Sequence, residues 1–184
     1  FASIIKEKYG RICVGERGLM SKLKAKKWTL LYTEISKLGE GGNADVYLVE
    51  DSRSGKRYAL KELRSSNRSE EKKSRFVSEI QIARDNCTII PGIIPVIDYS
   101  MEDYWYTMPI AQQIMGCVNG MSLDEIINGV LQLCETLGRL HEKGIHHRDI
   151  KPSNIYYYDG RFSFGDFGLV DFPDNDDFTK SDRG

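Results

Sequence analysis

The most informative stretch of this 184-residue sequence reads His147-Arg148-Asp149-Ile150-Lys151-Pro152-Ser153-Asn154. It concentrates a carboxylate, two cations and an amide in one predicted loop, with Asp149 and Asn154 five residues apart. Residues 156–165 then carry the pattern of a short β-hairpin, which delivers Asp166-Phe167-Gly168. Together the two segments predict a site that two carboxylates and an amide face.

Oxygen-bearing side chains of this kind suit a hard metal ion. Mg²⁺ prefers oxygen ligands and is usually held by one or two carboxylates together with substrate phosphates. Asn154 and Asp166 have the chemistry for such a site. The alternative is a pair of polar surface loops, and each loop taken by itself favours that alternative.

A glycine-rich turn lies far upstream, in residues 38–49, between two predicted strands. Most turns of this kind are only tight hairpins, but backbone without side chains also lets N–H groups approach phosphate oxygens closely. Lys61 lies on a strand predicted beneath this turn, and Glu79 lies on the helix predicted after it. We expect Glu79 to pair with Lys61, because a buried lysine needs an anionic partner.

The pattern of secondary structure changes near Ala111. Before it we predict five strands: two in residues 30–49, around the glycine turn, and three more at residues 57–63, 93–98 and 104–110. One helix, capped by Ser69, separates the third strand from the fourth and buries Phe76, Ile80 and Ala83.

After Ala111 a long helix is predicted, because Ser122 and Glu125 have the spacing of a capping box and Gly144 suits the helix end. Three- and four-residue steps along this helix predict an apolar face made of Leu123, Ile126, Val130, Cys134, Leu137 and His141. Strands followed by helix favour an α+β fold with two lobes.

Composition excludes several classes of function. The net charge of −1 leaves no global positive field for nucleic acid, and no apolar run is long enough to span a membrane. The four cysteines are far apart and form no CxxC pair, so we expect reduced thiols in a cytoplasmic protein.

These residues, in this order, resemble the protein kinase family, and specifically its eukaryotic-type serine/threonine branch. The match runs from about Tyr32 to Gly168. It implies a two-lobed fold with a five-stranded antiparallel sheet and one helix in the N-terminal lobe, and a helical C-terminal lobe that is truncated. We accordingly divide the chain into a basic leader (1–27), an N-terminal lobe (28–108), and a hinge with a partial C-terminal lobe (109–184).

The resemblance also implies a role for each site residue. Lys61 would bind the α- and β-phosphates of ATP, and Glu79 would be its partner on the helix. Asp149 would contact the substrate hydroxyl, and Lys151 would neutralise the γ-phosphoryl group; these four residues form the predicted catalytic group. The metal ligands would be Asn154 and Asp166. ATP would be bound by Leu38, Gly39, Gly41, Gly42, Val46, Ala59, Lys61, Met108 as gatekeeper, Pro109, Ala111 and Tyr156.

Three features depart from the family pattern. Ala44 stands where the glycine loop usually has its third glycine, and Tyr156 replaces an aliphatic residue on the floor of the adenine pocket. The sequence also ends soon after Gly168, so we expect an incomplete C-terminal lobe. Arg148 suggests control by phosphorylation, with Thr179 and Ser181 as candidate acceptors.

The leading hypothesis is a serine/threonine protein kinase that uses ATP and Mg²⁺ and acts on protein substrates. A regulatory partner, or a further C-terminal segment, could complete the truncated lobe; nucleic acid and membrane are not expected partners. Two alternatives stay open: an inactive, kinase-like scaffold that binds nucleotide, and a small-molecule kinase of the same fold. Lys151 and Pro152 argue against the second alternative.

Overall fold

The computed structural model of this chain describes residues 27–170. Nearly all of the predicted basic leader lies outside the described residues, and so do the candidate phosphate acceptors Thr179 and Ser181.

The first half of the described chain forms one five-stranded sheet. Its strands are β1 (Tyr32–Glu40), β2 (Ala44–Asp51), β3 (Arg57–Leu63), β4 (Asp98–Ser100) and β5 (Trp105–Met108). The order across the sheet is β1-β2-β3-β5-β4, and every neighbouring pair is antiparallel. The predicted five-stranded antiparallel sheet is therefore present.

The fourth strand lies later in the chain than the sequence indicated. We predicted residues 93–98, but the strand is Asp98–Ser100, and Ile93 forms only an isolated parallel bridge with Phe164. The physical reason is the pair of prolines, Pro91 and Pro95, which lack the N–H that a continuous ladder requires. This segment instead ties the five-stranded sheet to the second half of the chain.

Helix α1 (Glu70–Asn86) connects β3 to β4 and covers one face of the sheet. It begins as predicted: the hydroxyl of Ser69 accepts a hydrogen bond from the N–H of Lys72, and Glu70 and Glu71 lie in the positive first turn. Its buried side packs in a cluster under the sheet, whose members are Ala44, Leu63, Phe76, Ile80 and Tyr106.

The opposite face of the sheet is covered by a second, largely aromatic cluster. Trp28, in a short 3-10 helix (Lys27–Leu30), is fully buried and lies 5.5 Å from Tyr47, measured between ring centroids. Its indole N–H donates a hydrogen bond to the carboxylate of Glu62 at 3.0 Å. This outer aromatic cluster consists of Trp28, Tyr32, Tyr47, Val49, Leu60 and Trp105.

The second half of the described chain contains two helices and a small sheet. The helices are α2 (Ile114–Cys117) and α3 (Leu123–Glu142), and the strands are β6 (Gln112–Gln113), β7 (Ile155–Tyr158) and β8 (Arg161–Phe164), paired in that order. The predicted capping box at Ser122 and Glu125 is formed, and Gly144 has a φ of 72° just after the helix. No helix among residues 27–170 is long and apolar enough to cross a bilayer.

The buried face of α3 differs from the predicted one. Leu123, Val130 and Cys134 are exposed, whereas the residues buried in the helix are Gly129, Leu133, Thr136 and Leu140. The helix turns this face to β8 because Gly129 has no side chain, so the ring of Phe162 can lie directly against the helix backbone. Of the other predicted face residues, Leu137 packs against the core, Ile126 is half-buried and His141 is exposed. The periodicity therefore predicted the helix correctly, but its buried face only in part.

The close approach at Gly129 yields a stability prediction. A β-carbon at this position would overlap the ring of Phe162, whereas among the described residues nothing lies within 4 Å of a β-carbon built on Gly138 in the same helix. We expect Gly129→Ala to destabilise the protein by about 1–3 kcal/mol through overpacking. Gly138→Ala should instead stabilise it by up to about 1 kcal/mol, because alanine has the higher helix propensity.

Urea unfolding of both variants, monitored by circular dichroism, measures this difference. Equal unfolding free energies for the two alanine variants would contradict the proposed contact between Gly129 and Phe162.

Candidate active site

The register of the five-stranded sheet assembles the first half of the site. Val46 of β2 and Tyr106 of β5 lie directly opposite Lys61 of β3, and Ala59 lies opposite Met108. Residues opposite each other in antiparallel strands point to the same face. The sheet therefore presents all five side chains to the face that α1 covers.

Lys61 is held between two carboxylates from different parts of the chain. Its Nζ lies 2.6 Å from Oε1 of Glu79 on α1 and 3.3 Å from Oδ1 of Asp166, which follows β8. The predicted pairing of Lys61 with Glu79 is thus present. The side chains of Lys61 and Glu79 are only 12% and 4% exposed, so water screens this pair weakly.

The pKa shifts of these three groups reflect burial and mutual attraction. Burial alone would lower the pKa of Lys61, but the charges of Glu79 and Asp166 outweigh it and raise that pKa above its usual value. Burial alone would raise the pKa of Asp166, but the positive charge of Lys61 outweighs it and lowers that pKa below its ordinary range. At Glu79 burial prevails, and its pKa is raised even with Lys61 beside it.

The glycine loop is a tight turn between β1 and β2. The N–H of Gly41 donates to the carbonyl of Ala44 at 3.0 Å, and the N–H of Arg64 donates to the carbonyl of Asn43 at 3.0 Å. Beside the loop lies a cluster of ion pairs with N···O distances of 2.8 to 3.2 Å, in which two cations bind two carboxylates. Its members are Lys37, Glu40, Asp45 and Arg64.

The structure also accounts for Ala44, which stands where the family usually has glycine. Ala44 is the first residue of β2 and is 7% exposed, with its methyl group in the cluster beneath the sheet. The side chain points into the core and away from solvent. The methyl group of Ala44 therefore lies on the face of β2 that α1 covers.

The loop after α3 presents Asp149. Arg148 has a φ of 57°, and the N–H of Asp149 donates to the carbonyl of His147 at 2.8 Å, so Arg148 is the centre of a rare, strained three-residue turn. One carboxylate oxygen of Asp149, Oδ2, accepts hydrogen bonds from Lys151 at 2.8 Å and from Asn154 at 2.9 Å. Both partners thus restrain the carboxylate through the same oxygen.

His147 is a structural support of this loop that the sequence did not assign. Its ring is almost fully buried between Phe164 and Phe167, with centroid distances of 5.1 and 4.9 Å. Burial lowers its pKa, which favours the neutral imidazole. His147 therefore joins the Asp149 loop to the segment that carries Asp166.

Asp166 and Asn154 are the residues that can hold a metal ion. Asp166 has a φ of 61° and a side chain that is 43% exposed, so its carboxylate is accessible although its neighbours are buried. Asn154 donates its amide hydrogens to Asp149, which leaves its carbonyl oxygen as the group to offer a metal. Within the described ranges no group of three His, Cys, Asp or Glu residues forms a metal site. Two protein oxygens plus substrate phosphates nevertheless suit Mg²⁺.

The remaining predicted nucleotide residues lie on β1, on β7 and in the segment that follows β5. Residues 109–111 connect β5 to β6, and Gly39 lies opposite Val46. Leu38, in β1, is 52% exposed beside the glycine loop. Tyr156 lies in β7, opposite Gln113.

Tyr156 packs closely against Gly165, which leaves room for the tyrosine ring because it has no side chain. A β-carbon at Gly165 would lie 2.9 Å from Cε2 of Tyr156, closer than real side chains approach. Tyr156 was predicted as a site residue from the sequence, whereas Gly165 was not. A glycine immediately before Asp166 could have indicated that a large side chain packs against the backbone there.

Tyr106 is a second residue that the sequence analysis missed. Its hydroxyl donates to Oε1 of Glu79 at 2.8 Å, the oxygen that also binds Lys61. Strand alternation could have found it, because Tyr106 is two residues before Met108 and so shares its face of the sheet.

The fold and this constellation of residues are those of a protein kinase domain. A model of the family described as "Protein kinase domain" matches residues 32–183, and the chain belongs to this family. Met108, the glycine loop and the Asp149 loop all fall inside the matched region.

Among curated proteins, the chain is 32% identical over 169 residues to "Serine/threonine-protein kinase PknD" of Chlamydia muridarum (strain MoPn / Nigg), covering 77% of the chain and 16% of that protein. The protein of the same name from Chlamydia trachomatis serovar D is 33% identical over 152 residues, covering 67% of the chain and 15% of the relative. That from Chlamydia caviae is 31% identical over 150 residues, with the same coverages. The chain thus spans about a sixth of the length of these relatives.

The contact between Tyr156 and Gly165 yields a second prediction. We expect Gly165→Ala to destabilise the domain by about 1–3 kcal/mol, because the new methyl group meets the tyrosine ring. In a Tyr156→Leu background the same substitution should cost much less. Urea unfolding of the wild type, both single variants and the double variant measures the coupling. Additive effects would contradict a direct contact.

Proposed function

We propose that this chain is the catalytic part of a serine/threonine protein kinase, which transfers the γ-phosphoryl group of ATP to hydroxyl groups of protein substrates. The observation that carries the proposal is the position of Lys61, between Glu79 and Asp166. This ion-pair network unites the five-stranded sheet, α1 and the segment after β8 at one cleft. A lysine so placed suits the phosphates of a nucleotide.

Serine and threonine are the proposed acceptors for two reasons. Lys151 lies two residues after Asp149 and contacts its carboxylate, a placement that the resemblance associates with the serine/threonine branch. The curated relatives are also named as serine/threonine protein kinases. Protein substrates are therefore proposed in preference to small metabolites.

In the proposed reaction, Asp149 orients the substrate hydroxyl and accepts its proton. The hydroxyl oxygen forms a bond to the γ-phosphorus, the bond from that phosphorus to the bridging β–γ oxygen breaks, and ADP departs with the electron pair. Because Lys151 and Asn154 occupy Oδ2 of Asp149, its other oxygen is the one left to meet the hydroxyl. The ammonium of Lys151 can offset negative charge that develops on the transferred group.

Mg²⁺ is the proposed metal, with Asn154 and Asp166 as its protein ligands. When bound, it would neutralise phosphate charge. Leu38, the glycine loop, Val46 and Ala59 are proposed to enclose the nucleotide from the sheet side, opposite Tyr156. Met108, Pro109 and Ala111 are proposed to line the adenine edge.

The division into residues 1–27, 28–108 and 109–184 belongs to this proposal, as does a cytoplasmic location. The free thiols of Cys87, Cys117 and Cys134 agree with a reducing compartment.

The test is phosphate transfer from labelled ATP with Mg²⁺ to serine- and threonine-rich proteins. Asp149→Asn should reduce transfer by roughly 10²- to 10⁴-fold, because it removes the proton acceptor while keeping the shape of the side chain. Asp159→Asn makes the same chemical change in the exposed turn between β7 and β8 and should leave transfer unaltered.

Equal transfer by the wild type and Asp149→Asn would refute the role of Asp149. Binding of Mg·ATP without any transfer would favour the alternative of a nucleotide-binding scaffold. Transfer to hydroxylated metabolites alone would favour a small-molecule kinase.

A further inference from the structure

Tyr106 contacts the ion-pair network from inside the core. It lies in β5 directly opposite Lys61, and its hydroxyl donates a hydrogen bond to Oε1 of Glu79 at 2.8 Å. Lys61 binds the same oxygen at 2.6 Å. One carboxylate oxygen thus has two donors, one from each of two neighbouring strands.

The ring of Tyr106 is firmly held, so its hydroxyl has a defined direction. Tyr106 is 5% exposed, and its ring lies 5.7 Å from that of Phe76 on α1, measured between centroids. Ala44, Leu63 and Ile80 complete the cluster around it. A hydroxyl fixed by a packed ring loses little further conformational entropy when it binds Glu79.

The second oxygen of Glu79 faces another part of the site. Oε2 lies 3.6 Å from the position a β-carbon would take at Gly168. Glu79 therefore lies between β5 and the segment after Asp166. Its hydrogen bond to Tyr106 opposes rotation of the Glu79 side chain away from this position.

The hydroxyl of Tyr106 acts as the donor to Glu79. Burial raises its pKa well above the usual value, and the negative charge of Glu79 raises it further. The phenol therefore keeps its proton at neutral pH and can donate it to the carboxylate of Glu79.

We propose that Tyr106 is a positioning residue of the nucleotide site, which holds Glu79 in place so that Glu79 can aim Lys61 at the phosphates of ATP. The inference rests on the proposed function. When Lys61 turns towards phosphate, its hold on Glu79 weakens, and Tyr106 supplies the contact that keeps the carboxylate oriented. Without it, Glu79 would be free to follow the lysine or to rotate away.

The competing explanation is that Tyr106 only fills the core. Tyr106→Phe separates the two, because phenylalanine keeps the ring that packs on Phe76 and removes only the hydroxyl. We expect this variant to raise both the Kd for Mg·ATP and the KM for ATP by roughly threefold to tenfold, which is within the range of the net contribution of one ordinary hydrogen bond. The KM for the protein substrate should not change.

Tyr104→Phe is the matched control. It makes the same chemical change two residues away, at a ring that borders the same cluster but faces the guanidinium of Arg68 at 5.3 Å instead of Glu79. Its Kd and KM for ATP should equal those of the wild type. A loss of affinity shared by both variants would indicate general loosening of the core and would overturn the proposal.

A double-mutant cycle tests whether Tyr106 acts through Glu79. In a Glu79→Leu background, which has no acceptor for the Tyr106 hydroxyl, Tyr106→Phe should change the Kd for Mg·ATP by less than about twofold. Affinities are measured by displacement of a fluorescent nucleotide, at a temperature where all variants keep their folded circular dichroism signal. An undiminished effect in that background would overturn the proposal.

The remaining outcomes separate this inference from the proposed function. Tight Mg·ATP binding by the wild type together with unchanged binding by Tyr106→Phe would overturn only the positioning role. No Mg·ATP binding by the wild type would overturn both. If Tyr106→Phe fails to fold at any temperature, the hydroxyl is needed for the core itself, and the positioning role is likewise overturned.

Discussion

The buried ion pair between Lys61 and Glu79 is the constraint on which the rest of the site depends. Two charges removed from water are costly unless they are close and further hydrogen-bonded, and separating such a pair typically costs about 3–5 kcal/mol. The chain meets this requirement with contacts from three directions: β3 supplies the lysine, α1 the carboxylate, and β5 the hydroxyl of Tyr106. Asp166 adds a second negative charge, which ties the segment after β8 to the sheet.

Each half of the site uses backbone geometry to fix a reactive side chain. Arg148 and Asp166 both have positive φ values, which non-glycine residues adopt rarely. The first directs Asp149 out of a loop supported by the buried His147, and the second directs a carboxylate outwards beside the buried Phe167. Polar groups thus reach the cleft while the residues beside them complete the core.

Much of this arrangement could be predicted from sequence because it depends on local signals. The capping residues Ser69 and Ser122 and the spacing of Asp149 and Asn154 required no knowledge of packing. The errors arose where tertiary contacts decide. The prolines near Ile93 prevent the strand predicted there, and the strand lies further along the chain. On α3, the ring of Phe162 packs against Gly129, so the face that includes Gly129 is buried and the more apolar face that includes Leu123 is not. Tyr106 and Gly165 went unnoticed because their importance lies in what they touch.

The outer aromatic cluster extends beyond the region that matches the kinase family. Trp28 is completely buried, although it precedes the region that matches the kinase family, which starts at residue 32. A shortened chain starting at Tyr32 would uncover the ring of Tyr47 and remove the indole that binds Glu62, the neighbour of Lys61. Exposed aromatic surface of this kind promotes self-association. Recombinant production guided by family boundaries alone would therefore favour aggregation over soluble protein.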